Sequence, residues 1–181
     1  MIHVILSRPE LTFKVFDSDH ALRSVYEASG AACQNSNGAM PGGHYILLGP
    51  EMFPQSTWDS SKESKGVGWG RVLIRDMSDN DVQLLVSAEL ATKTADGQLS
   101  IGGIVLPPGR CNAYGRHIEI HGGGSALGMG AYAPNQKLCC TEGCTRMHNQ
   151  DLKSLVQFMQ PLTDQNTFVF SVIGTPPPCS C

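Results

Sequence analysis

Residues 139–149, CCTEGCTRMHN, bring three cysteines, an arginine and a histidine within reach of one another along the chain. Cys139, Cys140 and Cys144 can serve as zinc ligands, as halves of disulfides, or as one nucleophile with two structural neighbours. A catalytic cysteine reacts as its thiolate, so it needs a histidine, a nearby cation or a helix N-terminus to take up or stabilise the proton balance. Cys144 has a candidate for each: His121 closes the run HIEIH ahead of three glycines, Arg146 stands two residues on, and a helical pattern begins just beyond His148. Gly143 permits a tight bend in which the backbone N–H groups of Gly143 and Cys144 converge as an oxyanion hole. Thr141, Gly143 and Cys144 then belong to one turn.

A metal reading competes with this. Cys139, Cys140, Cys144 and His148 form a closely spaced four-ligand set, and His117, Glu119 and His121 share one face of HIEIH if that run is a strand. Adjacent cysteines seldom ligate one zinc, and no second C-x₂-C knuckle is present. The nucleophile reading asks less of the spacing, and no cofactor is expected with it.

The elements that must hold these residues are mostly strands. Apolar runs recur between Gly, Pro, Asn, Asp and Ser clusters: HVILS (3–7), LTFKVFD (11–17), HYILL (44–48), GRVLI (70–74), VQLLVSAEL (82–90), HIEIH (117–121) and FVFSVIG (168–174). LTFKVFD alternates, with Leu11, Phe13 and Val15 on one face. One segment reads as a helix: Asn149 as N-cap, then Leu152, Leu155, Val156 and Met159 at i, i+3, i+4 and i+7, with Pro161 ending the run. The stretches 30–43, 49–69 and 122–140 read as loops. The expected fold is mainly β, a single-domain sandwich or barrel over residues 1–181 with one helix after the cysteine turn.

Composition narrows the function. A net charge of −3, with 13 basic residues dispersed along the chain, offers no basic stripe for nucleic acid. No run of 18 apolar residues suggests a membrane span, and the start, MIHVILSRPE, has no signal-peptide pattern. Seven cysteines favour an oxidising compartment, and an odd number leaves one thiol over. With Cys144 as that thiol, Cys139 and Cys140 are expected to bond to Cys179 and Cys181, and Cys33 to Cys111.

The stretch IHGG, a loop, and then TEGCTRMHNQDLKSL resembles the signature of the L,D-transpeptidase (YkuD-type) catalytic domain. In that family a strand ending His-Gly leads to a Ser/Thr-x-Gly-Cys turn followed by an arginine and a helix. MPGGHYILLGP at 40–50 is similar to the family's Pro-x-Gly-x-Tyr strand start, and LTFKVFDSD to its N-terminal strand. The resemblance implies a β-sandwich or barrel-like L,D-transpeptidase fold with Cys144 as nucleophile, His121 as its base and Gly122 as the carbonyl that orients the imidazole. It also implies oxyanion donors at Gly143 and Cys144, with Thr141 in the Ser/Thr position and Arg146 shaping the turn or meeting a substrate carboxylate. The family attacks peptidoglycan stem peptides after the L-centre of a diamino acid, releases D-alanine and passes the acyl group to an amine or to water. A periplasmic or cell-wall location follows from that substrate. For an exported antibacterial effector of this kind, a secretion machine and an immunity protein are further partners. The alternatives to the enzyme are a non-catalytic wall-binding module and the zinc protein above. Two departures stand out: 19 residues separate His121 from Thr141, longer than the usual spacing, and Glu142 precedes Gly143 where many members carry a basic residue.

Overall fold

A computed structural model describes residues 1–29, 38–52, 70–122, 138, 141 and 143–175. Among these residues are eleven strands and two α-helices: β1 (Ile2–Ser7), β2 (Thr12–Phe16), β3 (Leu22–Ser29), β4 (Gly43–Met52), β5 (Gly70–Asp76), α1 (Asp79–Ser87), β6 (Thr92–Lys93), β7 (Leu99–Ile101), β8 (Ile104–Leu106), β9 (Glu119–His121), β10 (Thr145–Met147), α2 (Asn149–Met159) and β11 (Phe168–Ile173). Eight strands close into a barrel in the order β1-β11-β4-β5-β9-β10-β3-β2, and β6-β7-β8 form a separate small sheet. Closure leaves the eight strands without an open edge. The mainly β architecture expected from the sequence is the one observed.

Alternation decides which side chains fill the barrel. Phe13 and Val15 on β2, Val72 and Ile74 on β5, Ile120 on β9 and Met147 on β10 are buried in one interior cluster. Leu152, Leu155, Val156 and Met159, the apolar stripe of α2, join that cluster, so the helix closes the interior. β1 is buried on both faces: Ile2, Val4 and Leu6 point inward, while a second cluster of Ile46, Met77, Leu85, Ala91, Leu99, Ile101 and Val169 packs α1 and the small sheet against the outer side of β4 and β11.

Several elements differ from expectation. The run VQLLVSAEL is not a strand; its first residues belong to α1, so the described residues hold two α-helices where one was expected. Ser78 caps α1 in a reciprocal box with Asp81, whose side chain accepts from the Ser78 N–H at 2.7 Å. Arg75 adds a two-pronged ion pair to Asp81, at 2.6 and 2.8 Å, which holds that carboxyl down to about 2. This local anchoring outweighs the strand tendency of Val82 and Val86. HIEIH begins its strand only at Glu119, because His117 lies at φ 52°, in the left-handed region, and breaks the alternation. Cys144 does not open directly onto a helix: β10 intervenes, and His148, not Asn149, is the N-cap of α2. Cys111 is a thiol rather than half of a disulfide. Its expected partner Cys33, like Cys139, Cys140, Cys179, Cys181, Glu142 and most of the 122–140 loop, lies outside the described residues. Among the described residues no helix is long and apolar enough to cross a membrane.

Candidate active site

β9 and β10 run parallel as neighbours, with Thr145 opposite Ile120 and Arg146 opposite His121. Cross-strand partners project to the same side of a sheet. Ile120 faces the interior, so His121 and Arg146 lie on the outer face, with Glu119 two residues before His121 on the same side. β5 flanks β9 on its other side and sets Arg71 opposite His121 and Leu73 opposite Glu119. The sheet thus gathers a charged row that the linear sequence scatters over seventy-odd positions. Arg71 pairs with Glu51 at 2.8 Å and reaches Glu119 at 3.5 Å. Glu119 was visible in HIEIH, but its link to Arg71, like Arg71 itself, depends on register and has no local signal.

His121 is buried, and its Nδ1 lies 2.7 Å from the Gly122 carbonyl oxygen. A carbonyl only accepts, so Nδ1 carries the proton and Nε2 keeps its lone pair. Burial lowers the imidazole pKa to about 4; the Gly122 bond opposes that shift and the Arg146 charge adds to it. At neutral pH the ring is therefore uncharged, with Nε2 as its basic nitrogen.

The cysteine turn is held from three directions. The Thr141 hydroxyl donates to the Cys144 carbonyl at 2.6 Å, so this side chain is engaged in the turn itself. The Cys144 thiol donates to the His117 carbonyl at 3.5 Å, which ties the turn to the segment entering β9. That segment is anchored in turn by Asp76 at the end of β5, which accepts from the backbone N–H groups of Cys111, Asn112 and Ala113 at 2.8–3.0 Å. Although burial raises the Asp76 carboxyl, these three donors hold it below the usual carboxylate range. Arg116 donates to the Gly38 carbonyl at 2.8 Å and braces the same corner. Neither Asp76 nor Arg116 could be assigned a role from spacing alone.

Gly143 has φ 116°, and a Cβ placed there would sit 2.9 Å from the Gly38 carbonyl oxygen. Both the backbone angle and the space exclude a side chain. Gly143→Ala is expected to cost about 1–3 kcal/mol of stability and to slow alkylation of the Cys144 thiol, since the strain falls on the turn that carries it. Chemical denaturation with iodoacetamide kinetics checks this; unchanged values for both would show that the turn tolerates a side chain.

His148, from the metal alternative, places Nε2 3.3 Å from a Glu27 carboxylate oxygen, on the opposite flank of β10. Cys139 and Cys140 lie outside the described residues. Among the described residues no three His, Cys, Asp or Glu side chains cluster as a metal site.

Buried neutral histidines also set an acid limit on the fold. His121 and His3 are both pushed down to about 4, mainly by burial. A folded pKa below the unfolded value of about 6.5 means that the native state binds fewer protons. Its contribution is full above pH 6.5 and is lost as pH falls toward 4. A shift of this size corresponds to at most about 3 kcal/mol per histidine. The urea midpoint should therefore fall steadily between pH 6.5 and 4; a flat midpoint across that window would show that these rings are protonated without cost.

No protein-family profile matches the sequence, and no curated protein matches it significantly. Solved structures do match. The helical cell shape determining protein Pgp2 of Campylobacter jejuni superposes with a TM-score of 0.52 at 13% identity, over 99% of this chain and 50% of that one. The fold is shared with Pgp2. Bd1075 of Bdellovibrio bacteriovorus matches with a TM-score of 0.51 at 12% identity, again over 99% of this chain and 50% of its own. An L,D-transpeptidase from Mycobacterium smegmatis aligns over 96% of this chain and 58% of its own, at 13% identity and a TM-score of 0.41. The chain spans about half the length of Pgp2 and Bd1075.

Proposed function

We propose that the chain, 1–181, is a single catalytic domain that acts as a cysteine acyltransferase on peptidoglycan stem peptides. The observation that carries this is the state of His121: buried, neutral, its Nδ1–H fixed on Gly122, and one strand away from the Cys144 turn. That is the tautomer a general base for a thiol requires. The His-Gly and Thr-x-Gly-Cys-x-Arg motifs and the fold shared with a cell-shape determining protein support the substrate class.

In the proposed reaction Cys144 Sγ attacks the carbonyl carbon that follows the L-centre of the diamino acid, and the thiol proton passes to His121 Nε2. The Gly143 and Cys144 N–H groups stabilise the oxyanion. The C–N bond then breaks, His121 returns the proton to the departing D-alanine nitrogen, and a thioester remains on Cys144. An amine resolves it in transpeptidation or exchange, and water in L,D-carboxypeptidation. Arg146 and Arg71, beside His121 in the sheet, offer cations to a substrate carboxylate. The periplasm or cell wall is where this substrate lies, and delivery as an antibacterial effector is one route there.

Incubation with tetrapeptide muropeptides followed by mass spectrometry tests the reading. Loss of D-alanine, exchange of the terminal D-amino acid, or new dimers each identifies one outcome of the shared thioester. No change with any stem peptide would leave a wall-binding module in its place.

A further inference from the structure

A cavity of about 480 Å³ lies between the outer face of β1 and β2 and the small sheet, lined by His3, Ile5, Phe16, Glu89, Thr92 and Ser100 among others. β1 and β9 are four strands apart in either direction around the eight-stranded barrel, so this cavity lies across the barrel from His121.

A buried chain of hydrogen bonds ends in it. His3 Nε2 is 2.6 Å from Ser171 Oγ, Ser171 Oγ is 2.7 Å from His44 Nδ1, and His44 Nε2 is 3.1 Å from the Leu99 carbonyl oxygen. The carbonyl fixes every proton in the series. His44 must donate through Nε2, so its Nδ1 accepts from the Ser171 hydroxyl, and Ser171 Oγ accepts from His3 Nε2–H. His3 is left with an unprotonated Nδ1. All three side chains are at most 2% exposed. The geometry around Nδ1 keeps it open: Gly102 lines the cavity at φ 57°, and a Cβ there would stand 2.9 Å from that nitrogen. Two further lining residues take left-handed backbone where the chain reverses: Glu89, at φ 58°, in the C-terminal cap of α1, and His20, at φ 60°, in the turn between β2 and β3.

The lining chemistry selects the ligand. Acceptors predominate, with His3 Nδ1 and the Glu89 carboxylate joined by the hydroxyls of Thr92 and Ser100, and no lysine or arginine is among the lining residues. Ile5, Phe16 and Leu90 supply an apolar wall, and the Phe16 ring is tilted 41° to that of His3 with centroids 6.4 Å apart. Apart from the imidazole of His20 no basic side chain faces Glu89 here to hold an anion, whereas a ring with several hydroxyl donors on its rim and C–H groups on its face matches both walls. We propose that this cavity is a second binding site, for a neutral sugar ring, with His3 Nδ1 accepting a sugar hydroxyl and Phe16 lying against the apolar face. Burial keeps His3 uncharged at neutral pH, with its pKa lowered to about 4, so it accepts rather than donates there.

The test is a titration of the ¹⁵N-labelled full chain with N-acetylglucosamine and with glucose, read on the imidazole nitrogens and on the amides of Thr92 and Ser100. The ligand-free spectrum should show His3 protonated at Nε2 and bare at Nδ1. One of the sugars should then move the Nδ1 resonance saturably and leave His121 unmoved. Phe16→Ala should weaken that binding about tenfold, and Gly102→Ala should abolish it by covering Nδ1. Because alanine at φ 57° is strained, the phenylalanine variant with an unchanged remainder of the spectrum is the deciding one. A protonated Nδ1 in the free protein, no saturable shift with either sugar at millimolar concentration, or saturation by tetramethylammonium instead of sugar would each overturn the assignment.

Discussion

Cys144→Ala is expected to abolish release of D-alanine from tetrapeptide muropeptides while leaving the thermal midpoint nearly unchanged. The first half follows from the proposed chemistry, since without Sγ no thioester forms and the Gly143 and Cys144 N–H groups alone have nothing to stabilise. The second half follows from the packing. The Cys144 side chain is only half-buried, and its thiol bond to the His117 carbonyl is long, at 3.5 Å, so replacing Sγ by a methyl opens little space. The turn itself is held by Thr141 and by the backbone of Gly143, which the substitution keeps. Cys144→Ser should be nearly as inactive, because a hydroxyl beside a base of such low proton affinity is hardly ionised. Thiol labelling supplies a second readout. Cys111 is also a thiol, but burial, first of all, raises its pKa, so the fast-alkylating cysteine should be Cys144 and should vanish in the alanine variant. Full turnover by Cys144→Ala would remove the nucleophile from the proposal.

What could be read from the sequence divides along the range of the interactions. The barrel strands were legible where side chains alternate, as in LTFKVFD, where Phe13 and Val15 are buried and Thr12, Lys14 and Phe16 less so, although Leu11, expected on the buried face, precedes β2 at φ 53° and is exposed. The stripe of α2 was legible for the same reason, with the helical period in place of two. α1 was missed although its cap, Ser78 followed three residues later by Asp81, stood in plain view, because the Val- and Leu-rich run beyond it carries both periods. The Cys144 turn could be found because its parts are contiguous. Arg71, Asp76 and Arg116 could not, since each acts through partners distant in sequence, by cross-strand register or by a bond to backbone. His117 is the instructive case. Alternation placed its imidazole in a row with His121, but a left-handed φ turns it out of the strand, and what it brings to the thiol is its carbonyl.

That difference sets the second large effect. His121→Ala should lower the rate of thioester formation by about 10²–10⁴-fold, the usual worth of a positioned general base, whereas His117→Ala should cost far less. At position 117 the acceptor for the thiol belongs to the main chain and survives the substitution, apart from the strain of alanine at φ 52°. At position 121 the base itself is lost, and so is the ring that pins the Gly122 carbonyl. The pH dependence separates a base from a merely structural ring. His121 must be neutral to accept the thiol proton, and its pKa is lowered to about 4, by burial first and by Arg146 in addition. Rate should therefore stay level as pH falls through 6.5, where an ordinary histidine would protonate, and decline only as it nears 4. Since the fold loses stability over the same window, initial rates are to be read against the folded fraction measured at each pH. Removing the Arg146 charge with Arg146→Met should move the acid limb upward, because one of the groups opposing protonation is gone. Equal losses at 117 and 121, or an acid limb that stays at 6.5 in the folded wild-type protein, would assign the proton to another group.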